Sequence, residues 1–324
     1  MEEVKETKVT YSGGRWILQF FVLCVLALTL VGALSYTIDP FSLRETHLLE
    51  LARENINRRT NVALWAVCET KRVPDQHISN AEIIILGDSR ARLLTNQFEN
   101  HRMASMNGQK IYNLCIGGAS LEECLTLFQS EEDRASGFAS LKTVVISTPL
   151  IRFCEPNRPN RLVQSLKLVE TPFRYYLNDL IVRRSFVSLF RYQAKSVPLP
   201  VDTDDQTVLR AWRENYAGYH SQTFEQRLSE VALFLESLRK RGIQVICYVP
   251  PGAGGNRDAV AEADLFEVRK RFTDRLVKSS EFHDLADLTE LKGKPFSYQA
   301  GDPIHHDRGG EILELLPASG KTRN

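Results

Sequence analysis

The chain begins with a long apolar segment. Residues 16–38 contain no charged side chain, and a helix of that length crosses a hydrocarbon core of about 30 Å. Trp16 and Tyr36 stand near its two ends, where membrane helices commonly carry aromatic residues. Basic residues precede it, which favours a cytoplasmic N-terminus over residues 1–15. The pattern therefore predicts a transmembrane anchor over residues 16–38, followed by an exported body.

A cleaved signal peptide is the alternative to this anchor. Ala33-Leu34-Ser35 offers the small-x-small pattern of a cleavage site. The apolar stretch is longer than the ~7–15 residues of a typical signal peptide. Its length favours an anchor that stays attached, although the cleavage site leaves the alternative open.

Short apolar runs and helical patterns alternate beyond residue 80. The runs that begin at residues 82, 143 and 243 contain no polar alternation, which is typical of strands covered on both faces. Five strands are predicted, at residues 82–86, 110–116, 143–147, 243–249 and 282–288. Helical patterns lie between them, at residues 121–129, 224–240 and 261–277.

This alternation predicts an α/β fold with right-handed crossovers and a doubly wound parallel sheet. We expect a flavodoxin-like three-layer α/β/α sandwich with strand order 2-1-3-4-5. The domain would cover residues 81–316, with a helical insertion at about 152–222 that is rich in aromatic and basic residues. A linker with a helix would occupy residues 39–80, and residues 317–324 would form a frayed tail.

Composition narrows the function classes further. The 324 residues carry a formal net charge of +1, so no global field attracts nucleic acid. None of the six cysteines forms a CxxC pair, which argues against a zinc ribbon or a thioredoxin-type site. A disulfide among Cys68, Cys124 and Cys154 stays open. Adjacent histidines such as His305 and His306 rarely bind one metal ion, so we expect neither a metal nor a cofactor.

Ser89 is the candidate nucleophile. It follows the first predicted strand in the sequence Gly87-Asp88-Ser89, and the carboxyl ends of parallel strands are where such sheets bind ligands. A serine hydroxyl needs a base, and Asp302 three residues before His305 can fold back within one turn to orient the imidazole. A Ser89–His305–Asp302 triad is therefore predicted, with the Ser89 N–H facing the oxyanion.

These residues also carry a family resemblance. Gly87-Asp88-Ser89 resembles the first motif of the SGNH/GDSL hydrolases, the run from Asn113 to Ser120 resembles their second, and Asp302-x-x-His305 resembles their last. The resemblance covers roughly residues 80–316. It implies a serine esterase or acyltransferase whose oxyanion hole includes the N–H of Gly118.

One branch of that family is especially similar. A single anchor followed by Ile38-Asp39-Pro40 resembles bacterial proteins related to alginate O-acetylation factors and to the teichoic-acid D-alanylation protein. The resemblance implies a single-pass inner-membrane protein with its catalytic domain in the periplasm or outside. It also implies a cell-envelope polysaccharide as substrate and a membrane-bound O-acyltransferase as partner.

Two departures from the family pattern matter. The third motif, Gly-x-Asn-Asp, is absent, so the third oxyanion donor would be Thr148, Asn157 or none. Arg90 stands where the family has leucine, and with Arg152 and Asn157 it is a candidate for substrate binding. Two other functions therefore stay open, a catalytically weak glycan-binding or scaffold subunit and a lipid esterase. Sequence does not separate transfer from hydrolysis.

Overall fold

A computed structural model describes most of the chain. The described residues are 13–41, 43–44, 61–95, 97, 102–134, 137–156, 158–190, 210, 213–214, 216–217, 219–251, 260, 263–286, 288, 290–295, 298–299, 302–306 and 308–316. Outside this set lie the tail at 317–324, Asn157, residues 1–12, and residues 42 and 45–60 of the expected linker.

The described helices alternate with strands along much of the chain. The helices are α1 (Gly13–Ile38), α2 (Val62–Lys71), α3 (Asp75–Ser79), α4 (Ser89–Arg92), α5 (Leu121–Arg134), α6 (Leu150–Cys154), α7 (Arg161–Val169), α8 (Pro172–Tyr176), α9 (Asp179–Phe190), α10 (Ser221–Lys240), α11 (Phe266–Ser279) and α12 (Gly309–Leu315). A turn of 3-10 helix, Leu93–Thr95, continues α4.

Among the residues that the structure describes, six strands form the main sheet and four short strands form two separate pairs. The strands are β1 (Ile83–Leu86), β2 (Met103–Met106), β3 (Gln109–Asn113), β4 (Thr143–Ser147), β5 (Gln244–Val249), β6 (Glu281–Asp284), β7 (Glu290–Leu291), β8 (Lys294–Pro295), β9 (Tyr298–Gln299) and β10 (Asp302–His306). The main sheet has the order β2-β3-β1-β4-β5-β6. All its pairings are parallel except that of β2 with β3.

The expected α/β class with a mostly parallel sheet is confirmed. The antiparallel edge strand β2 is an addition that the apolar pattern did not predict, because Met-Ala-Ser-Met is neither long nor strongly apolar. A two-residue turn joins β2 to β3, and its residues Asn107 and Gly108 have φ values of +52° and +80°. Asn-Gly is the preferred sequence of such a hairpin turn, so the signal for β2 lay in the turn.

The chain divides into two compact units. One comprises Met1–Thr60 and Leu168–Lys195, and the other comprises Asn61–Lys167 and Ser196–Asn324. The second unit contains the main sheet. The first contains α1 together with α8 and α9, which come from the middle of the region expected to be an insertion.

In the first unit, α1 is long and apolar enough to cross a membrane over Gly14–Ile38. It ends at Ile38, and the next residue, Asp39, has a φ of +43° and is fully buried. The Asp39 carboxylate accepts hydrogen bonds from the Arg44 N–H at 2.9 Å and the Tyr175 hydroxyl at 3.3 Å. These two donors stabilise a buried carboxylate and fix the chain direction where α1 ends.

In the second unit, one hydrophobic cluster joins the sheet to the helices at its carboxyl edge. Ile83 and Ile85 of β1, Val145 of β4 and Ile246 of β5 pack with apolar side chains of α4 and α12. The C-terminal helix therefore belongs to the same core as the first strand. The cluster includes Ala91, Leu94, Ile312, Leu313 and Leu316.

Helix α10 is connected to α6 through a buried arginine. The Arg227 guanidinium donates to the carbonyl oxygens of Arg152 and Phe153, both at 3.4 Å, and also to that of Glu155. A helix leaves its last carbonyl groups without intrahelical partners. Arg227 satisfies these carbonyls, so it fixes the end of α6 beside the carboxyl edge of the sheet.

We expect Arg227→Ala to lower the free energy of unfolding by about 3 kcal/mol, because several buried carbonyl groups lose their donor. Arg271→Ala is the matched control, since Arg271 pairs with Glu225 at 2.8 Å on a half-exposed surface. That loss should stay below about 1 kcal/mol. Urea unfolding of both variants measures the difference, and equal losses would contradict the role given to Arg227.

Candidate active site

The strand–turn–helix around Ser89 is fixed by Gly87. This glycine has a φ of +148°, and a Cβ added to it would lie 2.6 Å from the Ser147 Cβ and 2.8 Å from the Ala91 Cβ. Neither the backbone nor the space therefore accepts a side chain. The close contact with β4 holds the start of α4 directly above the sheet, and Ser89, the first residue of α4, is half-buried there.

Asp88 caps α4. Its Oδ1 accepts the Arg90 N–H at 3.0 Å, which satisfies one of the free donors of the first helical turn. Helix α4 is only one turn long before the 3-10 helix begins, so a helix dipole contributes little at this site. Stabilisation of an oxyanion at this site would therefore depend on individual N–H groups.

A buried charge cluster surrounds Asp88. Its carboxylate lies 2.6 Å from Arg90 Nη2 and 3.2 Å from Arg152 Nε, and Arg152 also pairs with Glu155 at 2.6 Å. Burial would raise the pKa of Asp88, but the two guanidinium groups hold it well below its ordinary value. Two carboxylates balance two arginines, so the cluster carries no net charge.

The cluster includes two of the residues expected to bind substrate, Arg90 and Arg152. Arg90 is buried, and both Arg90 and Arg152 direct a guanidinium nitrogen at Asp88 rather than standing unpaired. Asn157 lies outside the described residues. The pairing of residues 88 and 152 joins α4 to α6, so the two arginines at least set the shape of the site.

The second glycine turn lies beside the Ser89 turn. The Ile116 N–H donates to the Gly87 carbonyl at 3.0 Å, and two residues further on Gly118 is exposed with a φ of +66°. Ser89 likewise stands two residues after Gly87. The hydrogen bond therefore brings the two sequence motifs together at one edge of the sheet.

Asn113, at the end of β3, has a structural role. Its side-chain amide donates to the Thr95 hydroxyl at 2.7 Å, and its carbonyl oxygen accepts the Cys115 N–H at 2.9 Å. It is fully buried. These bonds connect the second motif to the 3-10 helix after α4.

Thr148 does not have a free donor for an oxyanion. Its N–H and its hydroxyl both donate to the Tyr248 carbonyl, at 2.8 Å and 3.2 Å. The residue is fully buried. A hydroxyl carries a single proton, so of the two third donors that the sequence offered, only Asn157 is left, and it is not among the described residues.

The Asp302–His305 segment has a different form from the one expected. It is the strand β10, paired antiparallel with β9, rather than a single turn. The register shifts between Asp302 and His306. Residues three apart face opposite sides of a regular strand, but an irregularity changes that alternation. The side-chain positions of Asp302 and His305 lie outside what the structure describes.

The backbone of β10 nevertheless lies beside α4, with Cα atoms of the two elements within 8 Å. Helix α12, which follows β10, packs directly on the 3-10 helix. A Cβ added at Gly309 would lie 1.9 Å from the Leu93 carbonyl oxygen. A main-chain atom cannot move aside as a flexible side chain can, so this contact requires glycine and holds the start of α12 against the 3-10 helix.

Arg308 strengthens this C-terminal segment. Its Nη1 donates to the carbonyl oxygens of Leu291 at 2.6 Å and Lys294 at 2.7 Å. Sequence reasoning missed both Arg308 and Gly309. The pair Gly309-Gly310 before an apolar helix was the available signal, since two glycines at a helix start often mark a close backbone contact.

The cysteines near the site are inert. All six cysteines are free, so the disulfide considered among Cys68, Cys124 and Cys154 does not form in this structure. Burial raises the pKa of Cys124 to about 12. Its thiol therefore stays protonated at neutral pH and does not compete with Ser89 as a nucleophile.

We expect Gly87→Ala to lower the free energy of unfolding by about 3 kcal/mol, because the new Cβ overlaps Ser147 and the backbone is strained. Gly117→Ala is the control, since its Cβ would lie 3.4 Å from the nearest atom. Thermal unfolding of both should give a large loss for the first and less than about 1 kcal/mol for the second. If Gly87→Ala is as stable as the wild type, the proposed overlap with Ser147 is wrong.

We expect Asp88→Asn to lower the free energy of unfolding by about 3 kcal/mol at pH 7. Asparagine still caps α4, but two buried arginines lose their shared partner. Because the folded state lowers the pKa of Asp88, its stabilisation is complete above the unfolded pKa of about 4 and fades as pH falls below it. Unfolding measured from pH 7 to pH 3 should show a steeper acid loss in wild type than in the variant.

Glu236→Gln is the control for Asp88→Asn. Glu236 pairs with Lys240 at 3.0 Å on an exposed helix surface, so its neutralisation should change stability far less than Asp88→Asn does. Similar losses of unfolding free energy for the two variants would show that the buried Asp88 cluster stabilises the fold no more than an exposed ion pair does.

No family model, curated protein or solved structure was found to match this chain.

Proposed function

We propose that this protein is a membrane-anchored SGNH-type serine esterase or O-acyltransferase that acts on a cell-envelope polysaccharide. A flavodoxin-like α/β/α arrangement around the sheet is part of the proposal. One observation carries it: the backbone of the Asp302–His305 strand lies beside the helix that begins with Ser89. More than 200 residues separate these segments in the sequence, and a nucleophile and its base must meet in this way.

The mechanism would be acyl transfer through a serine ester. His305 would take the proton of the Ser89 hydroxyl as it attacks the acyl carbonyl, and Asp302 would stabilise the resulting imidazolium. The N–H groups of Ser89 and Gly118 would hold the oxyanion of the tetrahedral intermediate. Water as acceptor then gives hydrolysis, and a sugar hydroxyl gives transfer.

The membrane setting is supported by α1. A single-pass helix ending near Ile38 would hold the body at the surface of a bacterial inner membrane, on the periplasmic or outer side. A polymer of the envelope and a membrane-bound O-acyltransferase are the partners that this setting favours. Hydrolysis of membrane lipid is the alternative reaction at the same site.

A second candidate function is a catalytically weak glycan-binding or scaffold subunit. The Thr148 N–H and hydroxyl both donate to the Tyr248 carbonyl, so neither can serve as a third oxyanion donor. This favours the binding function. Loss of one oxyanion donor can lower a rate by roughly 10²–10³-fold. A site with only two donors would still bind an acylated sugar, but would turn it over slowly.

A fluorophosphonate probe tests the enzyme directly. We expect the full-length protein to be labelled on Ser89, Ser89→Ala to lose the label, and His305→Ala to react about 10²-fold more slowly because the hydroxyl lacks its base. Ser120→Ala is the matched control, a serine on the same sheet edge whose Oγ accepts the Glu123 N–H at 3.2 Å. It should be labelled like wild type.

Two results would overturn the enzyme proposal in favour of the binding subunit. One is a folded wild type that takes no label, and the other is a Ser89→Ala variant that is labelled as strongly as wild type. For a labelled enzyme, release of acetate from acetylated polysaccharide separates the glycan reaction from lipid hydrolysis, which releases fatty acid from phospholipid instead.

A further inference from the structure

The first compact unit holds two helices that the anchor alone does not require. In this unit α8 and α9 pack against α1. A Cβ added at Gly32 would lie 3.2 Å from the Leu177 side chain. The rings of Tyr36 and Tyr176 meet edge to face with centroids 5.1 Å apart.

These contacts indicate how deep α8 and α9 would lie in a membrane that α1 crosses. Its 26 residues are about 39 Å long at ~1.5 Å per residue, which exceeds a hydrocarbon core of about 30 Å. A centred α1 would extend about 4 Å beyond the core at each end. Tyr36, about 3 Å from the helix end, would then lie at the boundary, and Gly32, about 9 Å from it, just inside the acyl region. Leu177 packs at that depth.

Helix α9 continues from this point along α1. Ile181, Ser185 and Ser188 form its buried face. The less exposed residues of α1 are Cys24, Val31, Gly32, Leu34, Ser35, Thr37 and Ile38. Among them, Cys24, Val31, Ser35 and Ile38, spaced by seven, four and three residues, lie on one stripe of the helix. Small residues on both faces allow the close approach typical of helix pairs in membranes. The stripe runs back toward the middle of α1, so α9 points into the bilayer rather than away from it.

Some polar groups of α9 have partners within the helix. The Ser185 hydroxyl donates to the Ile181 carbonyl at 2.9 Å, so it needs no water. The Arg183 side chain pairs with Asp179 at 2.8 Å, one turn toward the start of α9. Helical side chains lean toward the N-terminus, which here is the headgroup end, so the guanidinium lies nearer the headgroups than its Cα does, and Asp179 balances its charge.

Two exposed aromatic side chains lie on α8 and α9. Phe173 of α8 is 72 % exposed and has Arg174 as its neighbour, and Phe186 of α9 is 39 % exposed. An aromatic ring beside a basic group is the pattern of residues at a membrane interface. Both phenylalanines lie in the unit that contains α1.

We propose that α8 and α9 form a second membrane-embedded element, in which α9 enters the leaflet at the C-terminal end of α1 and packs along it. Phe173 lies at the boundary between headgroups and acyl chains, and Phe186 contacts the acyl chains. The inference depends on the proposed membrane anchor, but not on any catalytic activity of Ser89.

Tryptophan quenching in the full-length protein tests this placement. Phe173→Trp, Phe186→Trp and Leu23→Trp are each placed in vesicles of phosphatidylcholine and phosphatidylglycerol, with and without bromine on the acyl chains. Leu23, 64 % exposed on α1, is the control for the anchor. The wild-type signal of the three native tryptophans is subtracted, and iodide in the aqueous phase measures exposure to water.

All three added tryptophans should be quenched by brominated lipid and protected from iodide. If Trp at position 23 is quenched while Trp at positions 173 and 186 is open to iodide and unaffected by bromine, the second element is refuted and the anchor stands. If Trp at position 23 is itself unaffected by bromine, the anchor is refuted, and the inference with it.

Discussion

The candidate site depends on a single buried carboxylate. Asp88 caps the helix that begins with Ser89, and the same side chain pairs with Arg90 and Arg152. A buried ion pair gains little net stability over an apolar replacement, but loss of one partner is costly. The carboxylate therefore specifies geometry more than it adds stability. It connects α4 to α6, and Arg227 connects α6 to α10, so one continuous set of polar contacts supports the carboxyl edge of the sheet.

Much of the fold could be predicted because burial leaves a strong pattern. The unbroken Ile-Ile-Ile-Leu run predicted strand β1, and the periodicity of residues 224–240 predicted most of α10. Edge strand β2 lacks that pattern because only one of its four residues is buried. Strand β10 was mistaken for a turn because its conformation depends on pairing with β9, which local sequence does not encode.

The site was predictable only in part, for a related reason. A motif marks which residues are present, but the partner of a charge is decided by the fold. Arg90 and Arg152 were expected to meet substrate, and the structure pairs both with Asp88, 64 residues from Arg152. Residue type allowed Thr148 as an oxyanion donor, but its N–H and its hydroxyl both donate to the Tyr248 carbonyl. Hydrogen-bond satisfaction is a property of tertiary structure, so residue type alone did not show which of these donors already have an acceptor.

The two halves of the proposed triad differ in mechanical support. Ser89 follows a central strand of the six-stranded sheet, whereas Asp302 and His305 lie on a two-stranded ribbon that would be only marginally stable in isolation. That ribbon is held through the packing of Gly309 on Leu93 and the bonds of Arg308. Local opening costs less free energy where fewer contacts must break. On warming, the strand pair of β9 and β10, which carries Asp302 and His305, would therefore detach before the turn at Ser89 unfolds. Amide hydrogen exchange would show this as two separate opening transitions.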